Sequence, residues 1–250
     1  MQHTLTKGRY RARLTQSPGD VCAAQELRHR VFLSCSGERQ STGLDADAYD
    51  TRCQHILIED IARNQLVCCF RVLPLSKGQS INSSYSAQYY ELSALQSYRG
   101  GMIELGRFCV DPDVKDPDIL RLAWAALTAV VEEQGAQFLF GCASFKGTDA
   151  QDYMDAFAML KARHLAPRRW LPKVKAPNVF RFGRVLRRNP DTKRAMQTMP
   201  PLLRSYLSLG GWVSDHAVVD DRLNTLHVFT GLEIGTIPAA RKRLLRLSAL

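Results

Sequence analysis

The sequence predicts an α+β fold, in which a mixed sheet is flanked by helices. Segments with the apolar–polar alternation of strands are interspersed with segments of helical period, in the order strand, helix, strand, strand, helix, strand, helix, strand, helix, helix, strand. The chain has 250 residues, of which 45% are hydrophobic, enough for one substantial core. No internal repeat or linker interrupts this order, so we predict one domain over residues 1–250.

The first elements are an edge strand, a helix and a pair of strands. Residues 9–14 alternate as a strand, and apolar residues at spacings of three and four predict a helix over residues 19–32. A polar loop over residues 35–51 then leads to two β-rich segments, HILIED at 55–60 and QLVCCFRVL at 65–73. The short turn between these segments predicts a hairpin.

The middle of the chain predicts alternating helices and strands. Residues 89–98 are predicted to form a helix that ends at a glycine pair, followed by a strand at 102–110. An apolar helix at 120–131 and a strand at 136–145 come next. The sequence DAQDYMDAFAMLKARH, at 149–164, begins with an aspartate suited to helix capping and continues as a helix.

The C-terminal part predicts a short helix, a last strand and a basic tail. The proline pair at 200–201 starts the short helix, and the glycine pair at 210–211 ends it. TLHVFTGLE, at 225–233, predicts the last strand, and residues 237–250 predict a basic amphipathic tail.

The positive charge is concentrated in one segment. Residues 161–194 hold twelve Lys or Arg against the single acid Asp191, a balance of +11 in a chain of net charge +10, so the remaining chain sums to −1. Such a basic segment predicts an acidic partner, which is a nucleic acid, an anionic membrane or an acidic protein.

Several common sites are excluded by their missing sequence patterns. The seven cysteines lack CxxC pairs, which argues against a disulfide framework and against a zinc site, and we expect no metal. Cys109 and Cys142 lie in apolar strand segments, where a small buried side chain is the more ordinary role. With no apolar run of about 18 residues and no secretory signal pattern, we expect a cytoplasmic protein.

The turn after the strand at 102–110 has an unusual composition. DPDVKDPDI, at 111–119, holds four aspartates and no glycine, although the start of the following helix is the kind of place where phosphates bind. The element order resembles the GNAT acyltransferase fold, with a mostly antiparallel central sheet, in which this turn corresponds to the coenzyme A phosphate loop. Four carboxylates would repel a pyrophosphate, so the resemblance implies a donor without the nucleotide. We therefore expect no cofactor beyond the phosphopantetheine of an acidic acyl carrier protein, which fits the basic segment.

Two narrower resemblances point to the reaction. The first 110 residues resemble acyl-homoserine-lactone synthases in the segments RHRVF, DAYD, FRVLP and ELGRF. Nearly the whole chain resembles ornithine-lipid acyltransferases, in those segments and in FLFGCASF and PPLLRSYLSLGGWVSDHAVVDDRLNT. This resemblance implies transfer of a 3-hydroxyacyl chain from acyl carrier protein to the α-amine of ornithine, giving lyso-ornithine lipid. Related enzymes act on glutamine, so that acceptor stays open, and a second O-acyltransferase would add the ester-linked chain.

The resemblances also imply roles for particular residues. Glu104 and Arg107 are the candidate catalytic residues, with Glu104 as the base for the α-amine. The alternative role of Glu104 is a structural pairing with Arg107 or Arg71 that holds the strand. Asp47 and Asp50 are candidate ligands for the substrate's amino groups. Either Arg28 or Arg71 would bind the substrate carboxylate through a bidentate fork. The backbone N–H groups of Phe108, Cys109 and Val110 are the candidate donors to the thioester oxyanion.

The basic segment has two predicted uses. As a docking site it would steer the acyl carrier through the following side chains: Arg168, Arg169, Lys173, Lys175 and Arg181. Alternatively it would lie on anionic lipid at the inner membrane, with Trp170, Val179, Phe180 and Phe182 in the interface. Aromatic residues at positions 124, 138, 140, 145 and 153 are candidate walls for the acyl chain.

Two other functions compete with this assignment. An acyl-homoserine-lactone synthase would need S-adenosylmethionine, for which nothing suggests a pocket. A non-catalytic nucleic-acid or lipid-binding module would use the basic segment and its interleaved aromatics. The near-neutral remainder of the chain favours the acyltransferase, so we expect no nucleic-acid partner.

Overall fold

The computed structural model describes residues 4–33 and 43–247. The strands are as follows: β1 (Leu5–Lys7), β2 (Tyr10–Leu14), β3 (Gln54–Asp60), β4 (Gln65–Leu75), β5 (Tyr90–Glu91), β6 (Met102–Val110), β7 (Phe138–Lys146), β8 (Lys173–Val174), β9 (Val179–Phe180), β10 (Trp212–Asp220) and β11 (Thr225–Glu233). The α-helices are α1 (Pro18–Arg28), α2 (Pro117–Glu133), α3 (Met154–Arg163), α4 (Phe182–Val185), α5 (Thr192–Thr198), α6 (Pro201–Ser208) and α7 (Ala239–Leu247).

The chain divides into two compact units, each made of separate chain segments. Unit 1 consists of Met1–Pro74, Leu105–Ala136 and Ala239–Leu250, and unit 2 consists of Leu75–Glu104 and Gln137–Pro238. The strand β6 continues from unit 2 into unit 1 at the peptide bond after Glu104.

Unit 1 is an antiparallel sheet covered by helices. Its strands pair in the order β1, β2, β3, β4, with each neighbouring pair antiparallel. Helix α1 packs Ala24 and Leu27 against Leu57, Cys69 and Cys109, all of which are buried. A π-helical turn, His29–Leu33, extends α1, so the helix predicted over residues 19–32 is confirmed with an irregular last turn. Helix α2 contacts β2 and α7.

Unit 2 is a second antiparallel arrangement, in the strand order β7, β11, β10, β9. Its core is rich in aromatic rings; Phe157, for example, stacks on Phe182 at 5.1 Å between ring centroids. Helix α6 ends at Ser208 and is followed by Gly210, whose φ of 93° favours a residue without a side chain, as the predicted glycine stop implies. The predicted α+β class with a mostly antiparallel sheet and flanking helices is confirmed.

One prediction of local structure is wrong, and one strand was missed. Residues 89–98 do not form one helix, because Tyr90 and Glu91 pair as β5 with β8 and a 3₁₀ turn follows at Ser93–Ser97. Strand β10 was not predicted from its pattern. The register of β10 against β11 shifts between Val213 and Ala217, and this irregularity removes the period-2 alternation that identifies a strand.

Candidate active site

A buried network of arginines and aspartates lies in unit 1. The guanidinium of Arg28, 1% exposed, binds both carboxylate oxygens of Asp50 through Nη1 and Nη2 at 2.8 and 2.9 Å. Its Nε lies 3.1 Å from Asp45 Oδ2, and Nη2 donates to the Asp45 carbonyl. Asp50 also accepts from Gln25 Nε2 at 2.9 Å. Arg28 and Asp50 are therefore held to each other inside the protein.

Asp47 lies between two further arginines. Arg71 donates through Nη1 and Nη2 to the two Asp47 carboxylate oxygens, both at 2.7 Å, and through Nη1 to Asp50 Oδ1 at 2.7 Å. Arg107 reaches Asp47 Oδ2 through Nη2 at 3.3 Å and Asp45 Oδ2 through Nε at 2.8 Å. The Asp47 side chain is 14% exposed, against 6% for Asp50 and 0% for Asp45, so Asp47 is the most accessible carboxylate of the three.

Arg107 has an unusual backbone conformation for a residue inside a strand. Its φ is 51°, in the left-handed region that non-glycine residues rarely adopt. This residue lies within β6, three positions after Glu104. Ion pairs with Asp45 and Asp47 hold its guanidinium.

Among the described residues, the network contains three arginines and three aspartates. Burial acts to raise the pKa of Asp47, but hydrogen bonds and charge attraction from Arg71 outweigh it, so the pKa is lowered. The pKa of Asp50 is lowered likewise, because bonds from Arg28, Gln25 and Arg71 outweigh burial. Burial lowers the pKa of His55 beside Asp50, so this imidazole is neutral at physiological pH.

The lowered pKa values predict acid instability of the fold. Asp47 and Asp50 ionise more readily in the folded protein than in the unfolded chain, so they stabilise the fold above the unfolded-state pKa of about 3.9 and lose this effect as pH falls toward their folded pKa values. We expect the Tm to drop steeply below about pH 4. In Asp47→Asn, thermal unfolding from pH 7 to pH 3 should show a smaller acid-dependent drop; a curve parallel to that of the wild type would contradict this.

Glu104, the candidate base, lies in unit 2 and is 4% exposed. Its Oε2 accepts from the Tyr85 N–H at 2.7 Å, and its Oε1 accepts from the N–H and hydroxyl of Ser86 at 2.7 and 2.6 Å. The Ser86 hydroxyl also lies 3.5 Å from Cys142 Sγ. The carboxylate is thus fixed in position by a turn of the chain, as a positioned proton acceptor has to be.

The chain that holds Glu104 is attached directly to the basic segment. Lys175 Nζ donates to the Ala87 carbonyl at 2.6 Å, and the Ala176 N–H donates to the Tyr89 carbonyl at 3.0 Å. The pairing of β5 with β8 follows in register, with Glu91 opposite Lys173. Residues 85–91 therefore join the Glu104 carboxylate to the predicted docking surface within unit 2.

The predicted oxyanion strand lies at the C-terminal end of β6. The Phe108 ring stacks on Phe70 with 5.4 Å between centroids. Cys109 is 3% exposed, and its Sγ lies 3.5 Å from Cys69 Sγ. Burial raises the pKa of Cys109 well above its ordinary value, which disfavours a nucleophilic thiolate. The roles of the Phe108, Cys109 and Val110 N–H groups stay predictions.

The aspartates of the turn after β6 have structural partners. Asp116 caps α2 by accepting from the Asp118 N–H at 2.9 Å, and it accepts from the Tyr10 hydroxyl at 2.9 Å. These bonds hold the pKa of Asp116 below its ordinary value. Asp111 accepts from the Asp113 N–H at 3.0 Å and from Gln65 at 3.2 Å. The Asp116 carboxylate therefore occupies the N-terminus of α2, a position that would otherwise attract a phosphate.

The predicted docking side chains all lie at the surface of unit 2. They are Arg168, Arg169, Lys173, Lys175 and Arg181. The Arg169 side chain is 67% exposed and that of Lys173 is 74% exposed, although they lie near Glu233 at 3.4 Å and Glu91 at 3.6 Å.

Other cations of the basic segment have structural partners. Arg188 and Arg194 pair with the buried carboxylate of Asp155, and Lys161 donates to the Leu186 carbonyl at 2.6 Å. The basic segment thus contains both structural cations and cations that face solvent.

The aromatic residues of the basic segment are mainly packed inward. Phe182 is fully buried, so its predicted contact with a membrane interface is wrong. Phe180 packs on Phe157 at 5.4 Å, and the Trp170 indole N–H donates to Glu233 at 3.1 Å. Over residues 4–33 and 43–247, no helix combines the length and apolarity needed to cross a bilayer.

The candidate acyl-chain walls are core residues. Phe138, Phe140 and Phe145 are at most 1% exposed, and Trp124 is also buried. Tyr153 lies 4.9 Å from Phe145 between ring centroids. Their packing follows from the apolar strands and helices that carry them.

Sequence analysis missed three residues that complete these sites. Asp45 shares Arg28 and Arg107, while Tyr85 and Ser86 hold Glu104. The spacing of acids in DADAYD, at positions 45, 47 and 50, is a signal that could have identified Asp45. Tyr85 and Ser86 carry no comparable signal, because serine- and tyrosine-rich turns are common at protein surfaces.

The chain is similar to a family of known acyltransferases. The acetyltransferase (GNAT) domain family matches residues 27–125. An L-ornithine Nα-acyltransferase of Rhodobacter capsulatus is 31% identical over 229 residues, covering 88% of each chain. The enzyme of the same name from Brucella abortus is 31% identical over 242 residues, covering 92% of this chain and 86% of that one.

A solved structure shows the same fold at low identity. An N-acyl amino acid synthase from uncultured soil microbes has a TM-score of 0.51 and 12% identity, covering 92% of this chain and 94% of that chain. The two L-ornithine Nα-acyltransferases confirm the resemblance to ornithine-lipid acyltransferases. The chain belongs to the L-ornithine Nα-acyltransferase family and is an acyltransferase of GNAT-like fold.

Proposed function

We propose that this protein transfers a 3-hydroxyacyl chain from acyl carrier protein to the α-amine of ornithine, giving lyso-ornithine lipid. The observation that carries the proposal is the similarity over about nine-tenths of the chain to relatives named for ornithine Nα-acylation. The geometry of the two sites agrees with the demands of this reaction.

The carboxylate network suits a cationic amino acid. Asp47 is its most exposed carboxylate, and the bond from Arg107 is the longest of its arginine contacts at 3.3 Å. An incoming ammonium group would exchange with this bond while Arg71 keeps Asp47 in place. Arg28 and Arg71 both stay candidates for the substrate carboxylate, since Asp50 occupies the fork of Arg28 and Asp47 occupies that of Arg71.

The chemical step is aminolysis of a thioester. The α-ammonium gives a proton to Glu104, the free amine attacks the thioester carbonyl, and an amide C–N bond forms as the C–S bond breaks. The pantetheine thiolate leaves and takes up the second proton that the attacking nitrogen loses as the amide forms. The first proton, held by Glu104, is then released to solvent, which balances the reaction and restores the carboxylate. Tyr85 and Ser86 keep the Glu104 carboxylate oriented throughout.

The turn after β6 and the exposed cations of unit 2 favour a carrier protein over coenzyme A as the acyl donor. The capping carboxylate of Asp116 and the other aspartates of the turn disfavour a nucleotide pyrophosphate. The solvent-facing cations of unit 2 offer a surface to an acidic carrier. The single-chain product is an amphiphile, so release at the inner membrane and use by a second O-acyltransferase belong to the same proposal.

Charge reversal tests the docking surface. We expect Arg168→Glu with Arg169→Glu to raise the apparent KM for acyl carrier protein about tenfold at low salt, or about 1.4 kcal/mol, because surface charges steer the partner. The increase should shrink as ionic strength rises from about 0.01 to 0.15 M, where the screening length falls from about 30 to 8 Å. A matched control reverses Arg63 and Arg121, each 59% exposed in unit 1, and should leave the KM unchanged.

A variant of Lys175 distinguishes docking of the acyl carrier from positioning of Glu104 in the same kinetic assay. Lys175→Met keeps the aliphatic stem but removes the bond to the Ala87 carbonyl, so we expect kcat to fall several-fold together with any rise in KM. If only membrane association falls in the Arg168/Arg169 variant, the surface binds lipid and the docking assignment is wrong.

A lipid extract tests the function itself. The full chain would be expressed alone in a host without aminolipids, and the lipids would be analysed by mass spectrometry. A new single-chain amide of ornithine supports the proposal, and a glutamine amide moves it to that acceptor. If neither forms, and the purified protein acylates no amino acid of a panel with 3-hydroxyacyl carrier protein, the proposal is overturned.

A further inference from the structure

The outer face of helices α4 and α5, in unit 2, combines exposed apolar side chains with positive charge. Val185 on α4 is 58% exposed and Met196 on α5 is 42% exposed, and among the described residues these are the exposed large hydrophobic side chains of unit 2. Residues 184–204 hold six Lys or Arg against the single acid Asp191, which caps α5 by accepting from the Arg194 N–H at 3.0 Å. We call this region the α4–α5 surface.

Both helices are held in place by contacts with α3. Leu186, directly after α4, and Ala195, on α5, belong to the buried cluster that contains the apolar side chains of α3. Arg188 and Arg194 both pair with the buried carboxylate of Asp155, at the start of α3. The exposed side chains of the two helices therefore lie on consecutive elements that share one anchor.

Cations flank the two exposed apolar side chains. Arg184 and Arg187 lie one and two positions from Val185, and both are exposed. On α5, Lys193 lies one turn before Met196, so the two side chains share the outer face of this helix. Apolar side chains with Lys and Arg around them match an anionic bilayer, in which methylene groups lie below charged headgroups.

The sheet of unit 2 separates the α4–α5 surface from strand β5. On β11, Val228 lies in the buried cluster of α4 and α5, whereas the next residue, Phe229, lies 5.7 Å from Tyr90 of β5 between ring centroids. Successive side chains of a strand point to opposite faces of the sheet. Helices α4 and α5 therefore cover one face, and β5 lies on the other.

Strand β7 places the candidate base on the same side as β5. Ala143 lies in the buried cluster of α4 and α5, whereas the preceding residue, Cys142, has its Sγ 3.5 Å from the Ser86 hydroxyl. Ser86 in turn binds Glu104. A carrier that brings its thioester to Glu104 therefore approaches the face opposite the α4–α5 surface, which leaves this surface to another acidic partner.

The side chains of the α4–α5 surface favour lipid over nucleic acid as that partner. The bases of single-stranded nucleic acid stack on aromatic rings. The rings next to α4, those of Phe180 and Phe182, pack on Phe157, with centroids 5.4 and 5.1 Å away. The exposed side chains are aliphatic, as contact with acyl chains requires.

We propose that the α4–α5 surface binds an anionic lipid bilayer, with Val185 and Met196 among the upper methylene groups and Arg184, Arg187 and Lys193 at the lipid phosphates. The inference rests on the proposed function, whose single-chain product is an amphiphile that enters a bilayer directly. It adds that the membrane and the acyl carrier bind opposite faces of unit 2, so the protein binds both at the same time.

Vesicle sedimentation tests the surface with the full chain. The wild type should bind vesicles made of equal parts phosphatidylcholine and phosphatidylglycerol, and bind pure phosphatidylcholine much more weakly. Arg184→Glu with Arg187→Glu should weaken binding to the anionic vesicles at least about 30-fold, because each cation near such a surface strengthens binding about fivefold. Val185→Ser with Met196→Gln keeps the charge and should weaken binding about tenfold through the lost apolar contact.

A control with the same change in net charge comes from the opposite partner site. Arg168→Glu with Arg169→Glu should weaken vesicle binding by less than about threefold at about 0.15 M salt, where distant charges are screened. Absence of wild-type binding to anionic vesicles, or equal losses in the two charge-reversed variants, overturns the proposal. So does full vesicle binding by the Arg184/Arg187 variant: a raised KM for acyl carrier would then assign the surface to the carrier, and lost binding to a DNA duplex would assign it to nucleic acid.

Carrier binding in the presence of vesicles tests the separation of the two faces. The Kd for acyl carrier protein should agree within about threefold with and without saturating anionic vesicles at about 0.15 M salt. Competition between carrier and vesicles overturns the assignment. Neither measurement uses turnover: vesicle binding through α4–α5 without acylation of any amino acid would contradict the proposed function alone, and acylation of ornithine with unchanged vesicle binding in the Arg184/Arg187 variant would contradict this inference alone.

Discussion

Glu104→Gln should lower kcat by about 10²- to 10⁴-fold, the usual contribution of a positioned base, while the affinity for acyl carrier protein stays the same. The amide oxygen can still accept from Ser86, but the amide nitrogen cannot take up the proton of the α-ammonium. It would also face the Tyr85 N–H, a donor against a donor, at a cost of about 1–3 kcal/mol in folding stability. Turnover with saturating donor and acceptor, together with carrier binding, measures the two effects.

Ser86→Ala is the control for this prediction. It removes the 2.6 Å bond to Glu104 but leaves the carboxylate, so a base role predicts a much smaller loss of kcat than in Glu104→Gln. Equal losses in the two variants would mean that Glu104 acts by holding residues 85–86. Unchanged turnover in Glu104→Gln would remove this residue from the mechanism.

Arg28→Met should lower the free energy of unfolding by about 3–5 kcal/mol, because it leaves the buried carboxylates of Asp45 and Asp50 short of their counter-charge. Denaturant unfolding measures the loss. Arg30→Met is the matched control in the same segment: its side chain is 47% exposed and 3.4 Å from Asp111, so its loss should stay below about 1 kcal/mol.

A double variant tests the cause of that loss. Adding Asp50→Asn to Arg28→Met removes the uncompensated charge and should recover part of the stability. If Arg28→Met instead leaves stability unchanged and raises the KM for the amino acid, Arg28 binds substrate and the structural assignment is wrong.

Regular elements followed closely from the sequence. The predicted strands at 102–110 and 225–233 coincide with β6 and β11 to the residue, because both are long and bounded by turn residues. Strand β10 was not predicted because its regular pattern is broken at Ser214, whose hydroxyl replaces ladder bonds. This arrangement depends on Phe229, which lies in another strand. The same long-range dependence explains β5, whose two residues form a strand through their pairing with β8.

The sequence identified most residues of the candidate sites but not which of them pair with each other. Asp47, Asp50, Arg28 and Arg71 were named from short motifs, and the structure brings all four into one network. Glu104 was predicted as the base, with pairing to Arg107 or Arg71 as the alternative, and its described contacts are Tyr85 and Ser86. The pairings in the two sites join residues from 18 positions apart (Ser86 and Glu104) to 62 positions apart (Asp45 and Arg107), which local periodicity does not encode.

The comparisons decide between the competing classes. Membership in an acyltransferase family over about nine-tenths of the chain sets aside the non-catalytic binding module. The large positive charge of residues 161–194 was therefore a weaker guide to function than the short motifs, because several of its cations serve the fold through Asp155 and Leu186.

Arg107 has a left-handed backbone conformation, so the shape of β6 depends on the contacts that hold this residue. A glycine at this position would adopt the same φ freely, whatever its surroundings. For arginine the conformation costs about 1–3 kcal/mol and persists because Asp45 and Asp47 hold the guanidinium. By thermodynamic linkage, a ligand that draws Asp47 away from Arg107 would also weaken the support for the irregular strand, so occupancy of the proposed amino-acid site and the path of the strand would share one equilibrium.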